Sequence, residues 1–314
     1  MSRESLGTLD RLPSEIMSTL ISMLDIQSIA RFASVSYQSD AFIKSQRAYR
    51  DLVTVAPQAL VALARVGLIG LHSLNELHSA LRTERCATCI EYGAFLFLPT
   101  CERCCWECLR RNPLLRVFSL SEAKRYFGLS ERQVQQLPTL HVLPGKYGIS
   151  GDPAPENCTL VSVKAARDLG LVVHGPAEKL AQAMERRCKS VKLLVTGRYF
   201  QGGSAVAQDQ DLLLLPSQGN VPPDDLFGVA SIPFPSLSKS GRIEDGLWCR
   251  GCEATLRRYD SLRLPQDVLA AVVPSDCDPQ RVLLGLERWA WSKESFLNHV
   301  KHCYGAQQLV TGND

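Results

Sequence analysis

The sequence predicts a mainly α protein with small β pieces, in which three short N-terminal helices precede a cysteine-rich α+β region. Apolar residues recur at helical spacing through residues 9–54. Cys-x-x-Cys pairs within residues 86–108 flank a short apolar run around a glycine, which is typical of a small strand pair. A further pair near residue 250 comes before a helix that carries histidine and cysteine. The predicted regions are 9–54, 55–83, 84–200, 201–247 and 248–310.

The first predicted helix has Pro13 in its first turn, a position that suits proline. Its apolar residues recur every three or four positions: Leu9, Leu12, Ile16, Leu20 and Leu24. Asp25 ends this pattern, Ser28 is the predicted cap of a second helix, and Asp40 is that of a third. Such a small unit cannot bury all of these side chains, and those around Leu12 crowd its first turn. The excess predicts a surface that another protein covers.

Four pieces of this segment form a known pattern: the run from Leu9 to Ile16, then Leu20, the run from Leu24 to Ile29, and Val35 with Ser36. In these residues the segment 9–54 resembles an F-box, the helical module that docks on the Skp adaptor of cullin-RING (SCF) ubiquitin ligases. The resemblance implies an adaptor-binding set of Leu9, Leu12, Pro13, Glu15, Ile16, Leu20, Leu24, Ile29 and Val35. A small helical bundle without a partner is the alternative.

Outside the cysteine pairs, the sequence predicts helices and short strands to which no catalytic or metal-binding role is assigned. A helical linker over 55–83 consists of two helices, 59–71 and 73–81, separated near Gly70. Beyond it, Ser121 and Ser130 are predicted helix caps, and Gly128 ends the first of those helices. Further predictions are extended pieces at 137–145 and 159–163, helices at 163–171 and 176–189, and a partly mobile loop at 202–240.

Six of the twelve cysteines lie within residues 86–108, on either side of the apolar run 92–99. A Cys-x-x-Cys turn directs two thiolates at one ion, and two such turns complete the tetrahedral set that zinc prefers. A segment this short buries little apolar surface, so bound zinc would supply folding energy. The predicted ligands are Cys86, Cys89, Cys105 and Cys108. Cys101 and Cys104 have the same spacing and are the alternative to the second pair.

Zinc explains this cluster better than two other uses of paired cysteines. Disulfides need an oxidising compartment, and we expect no signal peptide because the first residues lack an apolar core. A redox Cys-x-x-Cys pair favours a βαβ context, which the sequence does not predict. Four thiolates on one divalent ion leave two negative charges, which nearby arginines can offset. These arginines are Arg85, Arg103, Arg110 and Arg111.

A second zinc site is predicted near the C-terminus. The knuckle Cys-Arg-Gly-Cys begins at Cys249, and Ser292 is the predicted cap of a helix on which His299 and Cys303 share one face. The predicted ligands are Cys249, Cys252, His299 and Cys303. His302 is the alternative to His299, and a buried, metal-free Cys303 is the alternative to the site. The two clusters together predict one or two structural zinc ions per chain.

Composition and motifs argue against several function classes. The net charge of +3 is too small to predict nucleic-acid binding. The most apolar run, residues 59–71, is too short to span a membrane. No Walker loop, Gly-x-Ser-x-Gly or His-Glu-x-x-His motif occurs, and four-ligand zinc sites leave no coordination position for a substrate. We therefore expect a non-enzymatic protein of the cytoplasm or nucleus.

The cysteine pattern extends the resemblance beyond the F-box. Cys86, Cys89, the run from Gly93 to Cys108 and the run from Pro138 to Gly145 are similar to a group of F-box proteins abundant in filamentous fungi. The resemblance implies a subunit that binds the Skp adaptor, and through it cullin, and recruits an unknown protein client for ubiquitin-dependent degradation. The alternatives are a zinc-dependent nucleic-acid-binding protein and an F-box scaffold that acts outside degradation.

Overall fold

The chain is mainly α-helical with small antiparallel sheets, as the sequence predicts. A computed structural model describes residues 6–147, 152–153, 158–176, 179–180, 192–195, 214–217, 226, 228–275 and 277–312. Within these ranges, no helix combines the length and the apolar character that crossing a bilayer requires.

The N-terminal unit has a 3-10 turn at Gly7–Arg11 and four α-helices, where the sequence predicts three helices. The helices are α1 (Ser14–Met23), α2 (Ile26–Ala33), α3 (Tyr37–Ser45) and α4 (Arg47–Val55). The third predicted helix is divided because Gln46 has an extended backbone, with φ −69° and ψ 122°. The predicted caps Ser28 and Asp40 are wrong, because the capping oxygen lies further upstream in each case. Asp25 accepts the Ser28 amide at 2.8 Å, and Ser36 caps α3.

The linker forms two helices, α5 (Pro57–Val66) and α6 (Leu74–Arg82), and α6 packs against α1 and α4. The first linker helix is shorter than predicted because Gly67 has a φ of +84°, a left-handed conformation that ends the helix. Ser73 begins α6 through a capping box with Glu76.

The cysteine-rich region opens with the predicted hairpin, followed at once by a helix. The strands are β1 (Phe95–Phe97) and β2 (Glu102–Cys104), and the helix is α7 (Trp106–Arg111). A 3-10 turn at Pro113–Leu115 leads to β3 (Val117–Ser119), α8 (Leu120–Phe127), α9 (Glu131–Val134), β4 (Thr139–His141), β5 (Lys146–Tyr147), β6 (Asp152–Pro153), β7 (Thr159–Ser162) and α10 (Val163–His174). β7 lies between β3 and β4 in one antiparallel sheet. Ser119, not the predicted Ser121, caps α8 through a capping box with Glu122.

In the described residues of the C-terminal third, six short strands are followed by five helices with one further strand among them. Its elements are β8 (Lys192–Val195), β9 (Leu214–Ser217), β10 (Ser231–Pro233), β11 (Ser236–Leu237), β12 (Ile243–Glu244), β13 (Leu247–Trp248), α11 (Arg250–Asp260), α12 (Gln266–Val272), α13 (Pro279–Arg288), β14 (Ala290–Trp291), α14 (Lys293–Val300) and α15 (Tyr304–Thr311). The helix predicted at 176–189 falls mostly outside the described residues.

Part of the segment predicted as loop belongs to the core. β10 pairs with β1 in a three-stranded sheet, with Ile232 opposite Leu96. Phe234, between two prolines, is only 1% exposed. Its amide donates to the Ala94 carbonyl at 2.9 Å. Glycine and proline in the sequence favour loops, but pairing along the free edge of the hairpin needs only a short extended piece of backbone.

The largest hydrophobic core runs without a break through the N-terminal helices, the linker and the hairpin. Its buried members include Ile29, Leu52, Leu81, Phe97 and Phe234, together with four of the six cysteines of residues 86–108. A second core surrounds Phe118 and Phe127, and the C-terminal helices have small cores of their own. The first cysteine cluster is therefore part of the same packed unit as α1–α6.

Candidate metal centres and exposed apolar surface

The four predicted ligands of the first site converge in the structure. The Sγ atoms of Cys86, Cys89, Cys105 and Cys108 all lie within 4.8 Å of one another. Those of Cys89 and Cys105 are 3.7 Å apart. Two thiolates bound tetrahedrally to one ion at about 2.3 Å are separated by ~3.8 Å. The group can therefore hold one metal ion with four protein ligands.

Local backbone structure places these thiols. Cys105 caps α7, and its sulfur accepts a hydrogen bond from the Cys108 amide at 3.4 Å. The Cys86 amide donates to the Glu91 carbonyl at 2.8 Å, which closes the turn between the first two ligands. Hydrogen bonds from Cys105, Cys108 and Cys89 lower the pKa of Cys86. The same cluster of hydrogen bonds raises the pKa of Cys108, so a bound ion must displace the protons of the remaining thiols.

The alternative pair, Cys101 and Cys104, does not join this group. Cys104 is fully buried on β2, opposite Phe95. Burial raises the pKa of the Cys104 thiol well above its usual range and that of Cys101 to about 12. Both side chains are therefore neutral thiols that contribute to packing.

Arg103 has a role that the sequence pattern did not reveal. We expected it to offset thiolate charge, but its buried guanidinium donates to backbone carbonyls of three chain segments. The acceptors are the carbonyl oxygens of Ala80, Gly93, Phe234 and Pro235. Arg110, also expected to offset charge, forms an ion pair with Glu107 at 3.1 Å.

The ligands of the second site also converge, although 47 positions separate Cys252 from His299. Cys252 Sγ lies 3.3 Å from His299 Nε2, and the Sγ atoms of Cys249 and Cys303 are 3.7 Å apart. All four ligand atoms lie within 4.8 Å of one another. His302, the alternative ligand, does not belong to this group. The C-terminal region can therefore hold a second ion.

Each ligand of the second site lies at or near a helix end. Cys249 precedes α11, Cys303 precedes α15, and His299 is in the last turn of α14. The prediction that His299 and Cys303 share one helical face is wrong, because α14 ends at Val300 and the chain turns before α15. A hydrogen bond from Cys252 lowers the pKa of Cys303 to about 5.

Two features that support the second site escaped the sequence analysis. Trp291 stacks on the His299 ring with 4.3 Å between their centroids, which fixes the plane of the imidazole. α11 and α15 cross at Gly251 and Gly305, where a Cβ on Gly305 would lie 1.9 Å from the Gly251 oxygen. The close approach brings the cysteines of the two helices together. The spacing of the ligands along the sequence indicates neither the stacking nor the helix crossing.

We expect Cys249→Ser and Cys303→Ser each to remove about one metal ion per chain, and the double variant to remove no more. One missing thiolate already opens the site, so the second substitution has nothing further to break. Elemental analysis of gel-filtered protein measures the metal content. His302→Ala is the matched control for His299→Ala, and only the latter should lose an ion. Additive losses in the double variant would instead assign the two cysteines to separate roles.

The first helix has two apolar faces. Met17 and Ile21 are buried, whereas Ile16 is 49% and Leu20 44% exposed. Among the other residues implied by the F-box resemblance, Leu12, Pro13, Glu15 and Val35 are exposed, and Leu9 and Leu24 are half-buried. Ile29 is the exception, because α2 turns its side chain fully into the core. It supports the fold and offers no surface to a partner.

Comparisons with known proteins assign no family to this chain. A scan against protein-family models found no match, and searches of the curated proteins and of the solved structures found no significant match. Function is accordingly inferred from the two ligand groups and the exposed face of α1.

Proposed function

We propose that this chain is a non-catalytic, substrate-recruiting F-box subunit of an SCF-type cullin-RING ubiquitin ligase. The N-terminal helices bind a Skp-type adaptor, and through it cullin, while the rest of the chain binds a protein client. The complex acts in the cytoplasm or nucleus. The observation that carries the proposal is the second apolar face of α1, which the described part of the chain leaves exposed.

This face has the form of a protein interface. Ile16 and Leu20 are one turn apart on α1, so they form one stripe, and Met23 continues it with 70% of its surface exposed. Leu12 precedes the helix and is also exposed. Val35, between α2 and α3, is 74% exposed, and Tyr37, the first residue of α3, is 76% exposed. Exposed apolar side chains grouped in this way mark a site that another molecule covers. Most residues of the implied adaptor-binding set lie on this surface.

Structural zinc is the second part of the proposal. The sulfur–sulfur separations of 3.7 Å in both groups suit thiolates on one zinc ion. Thiolate-rich sets favour zinc over magnesium or calcium, which prefer oxygen ligands. Four protein ligands at each site leave no position for a substrate, which supports a non-enzymatic role.

Adaptor binding tests the proposal. We expect Ile16→Ala together with Leu20→Ala to weaken binding to a purified Skp adaptor at least tenfold, because both substitutions remove exposed apolar anchors. Metal content and the thermal unfolding midpoint should not change, since neither side chain belongs to the core. Isothermal titration calorimetry, with both proteins in solution, measures the affinity.

Val61→Ala is the matched control, because Val61 is also 49% exposed but lies on α5. It should bind the adaptor like the wild type. A wild-type chain that fails to bind the adaptor, or a double variant that binds it equally well, would contradict the F-box assignment. Affinity purification with a proteasome inhibitor then separates degradation from scaffolding, because a degradative subunit recovers cullin with the adaptor and accumulates its client.

A further inference from the structure

One face of α11 is rich in arginine and lines an open groove. Residues 250, 253, 254, 257, 258 and 261 lie on this face, at the spacing of one helical side. The groove has a volume of about 720 Å³ and also reaches Arg263 and Leu309. Another side of α11 carries Cys252 of the second metal site, and Gly251 packs against α15, whose Leu309 borders the groove. The groove therefore lies on a helix that is held in place by this packing.

The groove is strongly positive. Four arginines and one glutamate line it, which leaves an excess of three positive charges, equal to the net charge of +3 of the whole chain. The second metal site accounts for little of this excess, because three thiolates and a neutral imidazole on a divalent ion leave one negative charge. The planar guanidinium fork binds carboxylates through two hydrogen bonds, so the groove suits an acidic ligand.

Two of the arginines are already positioned. Arg257 forms an ion pair with Glu253 one turn away. Arg258 Nη1 donates to Tyr304 Oη at 3.2 Å, and its guanidinium lies 5.8 Å from the centre of that ring. Ordered arginines lose less side-chain entropy when they bind a ligand.

An aromatic cleft adjoins the arginine groove. The cleft has a volume of about 550 Å³, shares Arg250 and Glu253 with the groove, and is lined by Phe95, Trp106 and Trp248. Trp248 is 41% exposed and packs edge-on against Phe95, with 6.5 Å between the ring centroids. The exposed part of the Trp248 ring can pack against an apolar side chain of a ligand. Groove and cleft together form one surface with a cationic part and an aromatic part.

We propose that this surface docks an acidic segment of a partner protein: a run of Asp and Glu beside one apolar residue that enters the cleft. Arg250 and Ser261 are eleven residue steps apart, which corresponds to about 16 Å of helix or the length of about five extended residues. Glu253 and Glu287 line the cleft and repel carboxylates and phosphates alike. A peptide can place its apolar residue beside them, whereas a nucleic-acid backbone carries a charge at every nucleotide, which favours a peptide over RNA. That the acidic segment belongs to a client of the ligase rests on the proposed function.

Fluorescence anisotropy with a labelled peptide, Gly-Leu-Gly followed by five glutamates, tests the inference on the full metal-loaded chain. A matched peptide in which glutamines replace the five glutamates should bind at least tenfold more weakly than the glutamate peptide. A glutamate peptide in which glycine replaces the leucine should also bind measurably more weakly. Arg257→Glu with Arg263→Glu should reduce binding at least tenfold, since both side chains are exposed and carry groove charge. Arg65→Glu with Arg242→Glu, a reversal at exposed arginines outside the groove, should leave it unchanged.

Three results would overturn the inference: equal binding of the glutamate and glutamine peptides, unchanged binding after the groove reversal, or tighter binding of a ten-nucleotide oligouridine. Metal content and adaptor affinity of the groove variant should equal those of the wild type, which shows that the variant is folded. If the charge reversal Arg257→Glu with Arg263→Glu disturbs folding, the neutral variant Arg257→Gln with Arg263→Gln is used in its place. Failure of wild-type adaptor binding rejects the proposed function alone, whereas failure of peptide binding rejects the acidic docking surface alone.

Discussion

Cys105→Ser is expected to lose about one metal ion per chain and to unfold the N-terminal two thirds of the protein. The first ligand group belongs to the core that α1–α6 and the hairpin share, so its loss removes support from all of them. Structural zinc contributes an apparent ~10–16 kcal/mol at pH 7 in small zinc-binding peptides. That range is as large as the ~5–15 kcal/mol by which a typical domain is stable. Limited proteolysis should cut the variant within the hairpin, and adaptor binding should be lost with the fold.

The second ligand group predicts a different result. Cys252, Cys249 and Cys303 form a small cluster that packs with α13–α15 and is separate from the main core. Cys252→Ser should therefore lose about one ion but retain a protease-resistant fragment that includes the N-terminal helices and the hairpin. This fragment should still bind the adaptor.

Cys101→Ser is the matched control for both variants, because Cys101 has ligand spacing but lies outside the group. It should keep its full metal content and its resistance to protease. Mass spectrometry of the tryptic fragments and elemental analysis distinguish the three variants. A Cys105→Ser protein with wild-type metal content and protease resistance would contradict the structural role of the first site.

The sequence was sufficient to predict the first ligand group because its Cys-x-x-Cys pairs have local spacing. The residues of the second group were also predicted, but the shared helical face proposed for His299 and Cys303 is wrong, and the fold brings this pair to Cys249 and Cys252. A Cys-x-x-Cys turn places two thiols side by side without help from distant residues. The choice of Cys105 and Cys108 over Cys101 and Cys104 was also local, since only the former pair opens a helix. The mainly α class followed from apolar periodicity in the same way.

Other features depend on contacts that local patterns do not encode. The segment around Phe234 has the prolines of a loop, but β1 leaves a free edge that this segment completes. Helix caps were misplaced at Ser28, Asp40 and Ser121, where several polar residues compete for the same amides and backbone geometry decides between them. The F-box resemblance includes Ile29 in the implied adaptor-binding set, but Ile29 is buried in the core and has no exposed surface for a partner.

Arg103 gives the second large expected effect: Arg103→Ala should destabilise the chain by about 3–5 kcal/mol, because several buried carbonyls lose a charged hydrogen-bond donor at about 1–3 kcal/mol each. Its Nε donates to Ala80 at 3.1 Å, and one Nη donates to Gly93 at 2.5 Å and to Phe234 at 2.9 Å. These bonds join α6, the turn before β1 and the strand segment after β10. Truncation removes this donor from each carbonyl, and within the described residues only Ala80 keeps a backbone donor, the Thr83 amide at 3.4 Å.

The charge of Arg103 persists despite burial, which lowers its pKa only to about 10. Lysine retains a charge but not the three-nitrogen fork, so Arg103→Lys should recover less than half of the lost stability. Urea unfolding with zinc present measures the free energy of unfolding of both variants. Arg65→Ala is the control, because Arg65 is exposed on α5, and it should change that free energy by less than about 0.5 kcal/mol. Equal stability of Arg103→Lys and the wild type would show that charge alone matters here. An Arg103→Ala protein as stable as the Arg65→Ala control would mean that the three segments hold together without the guanidinium.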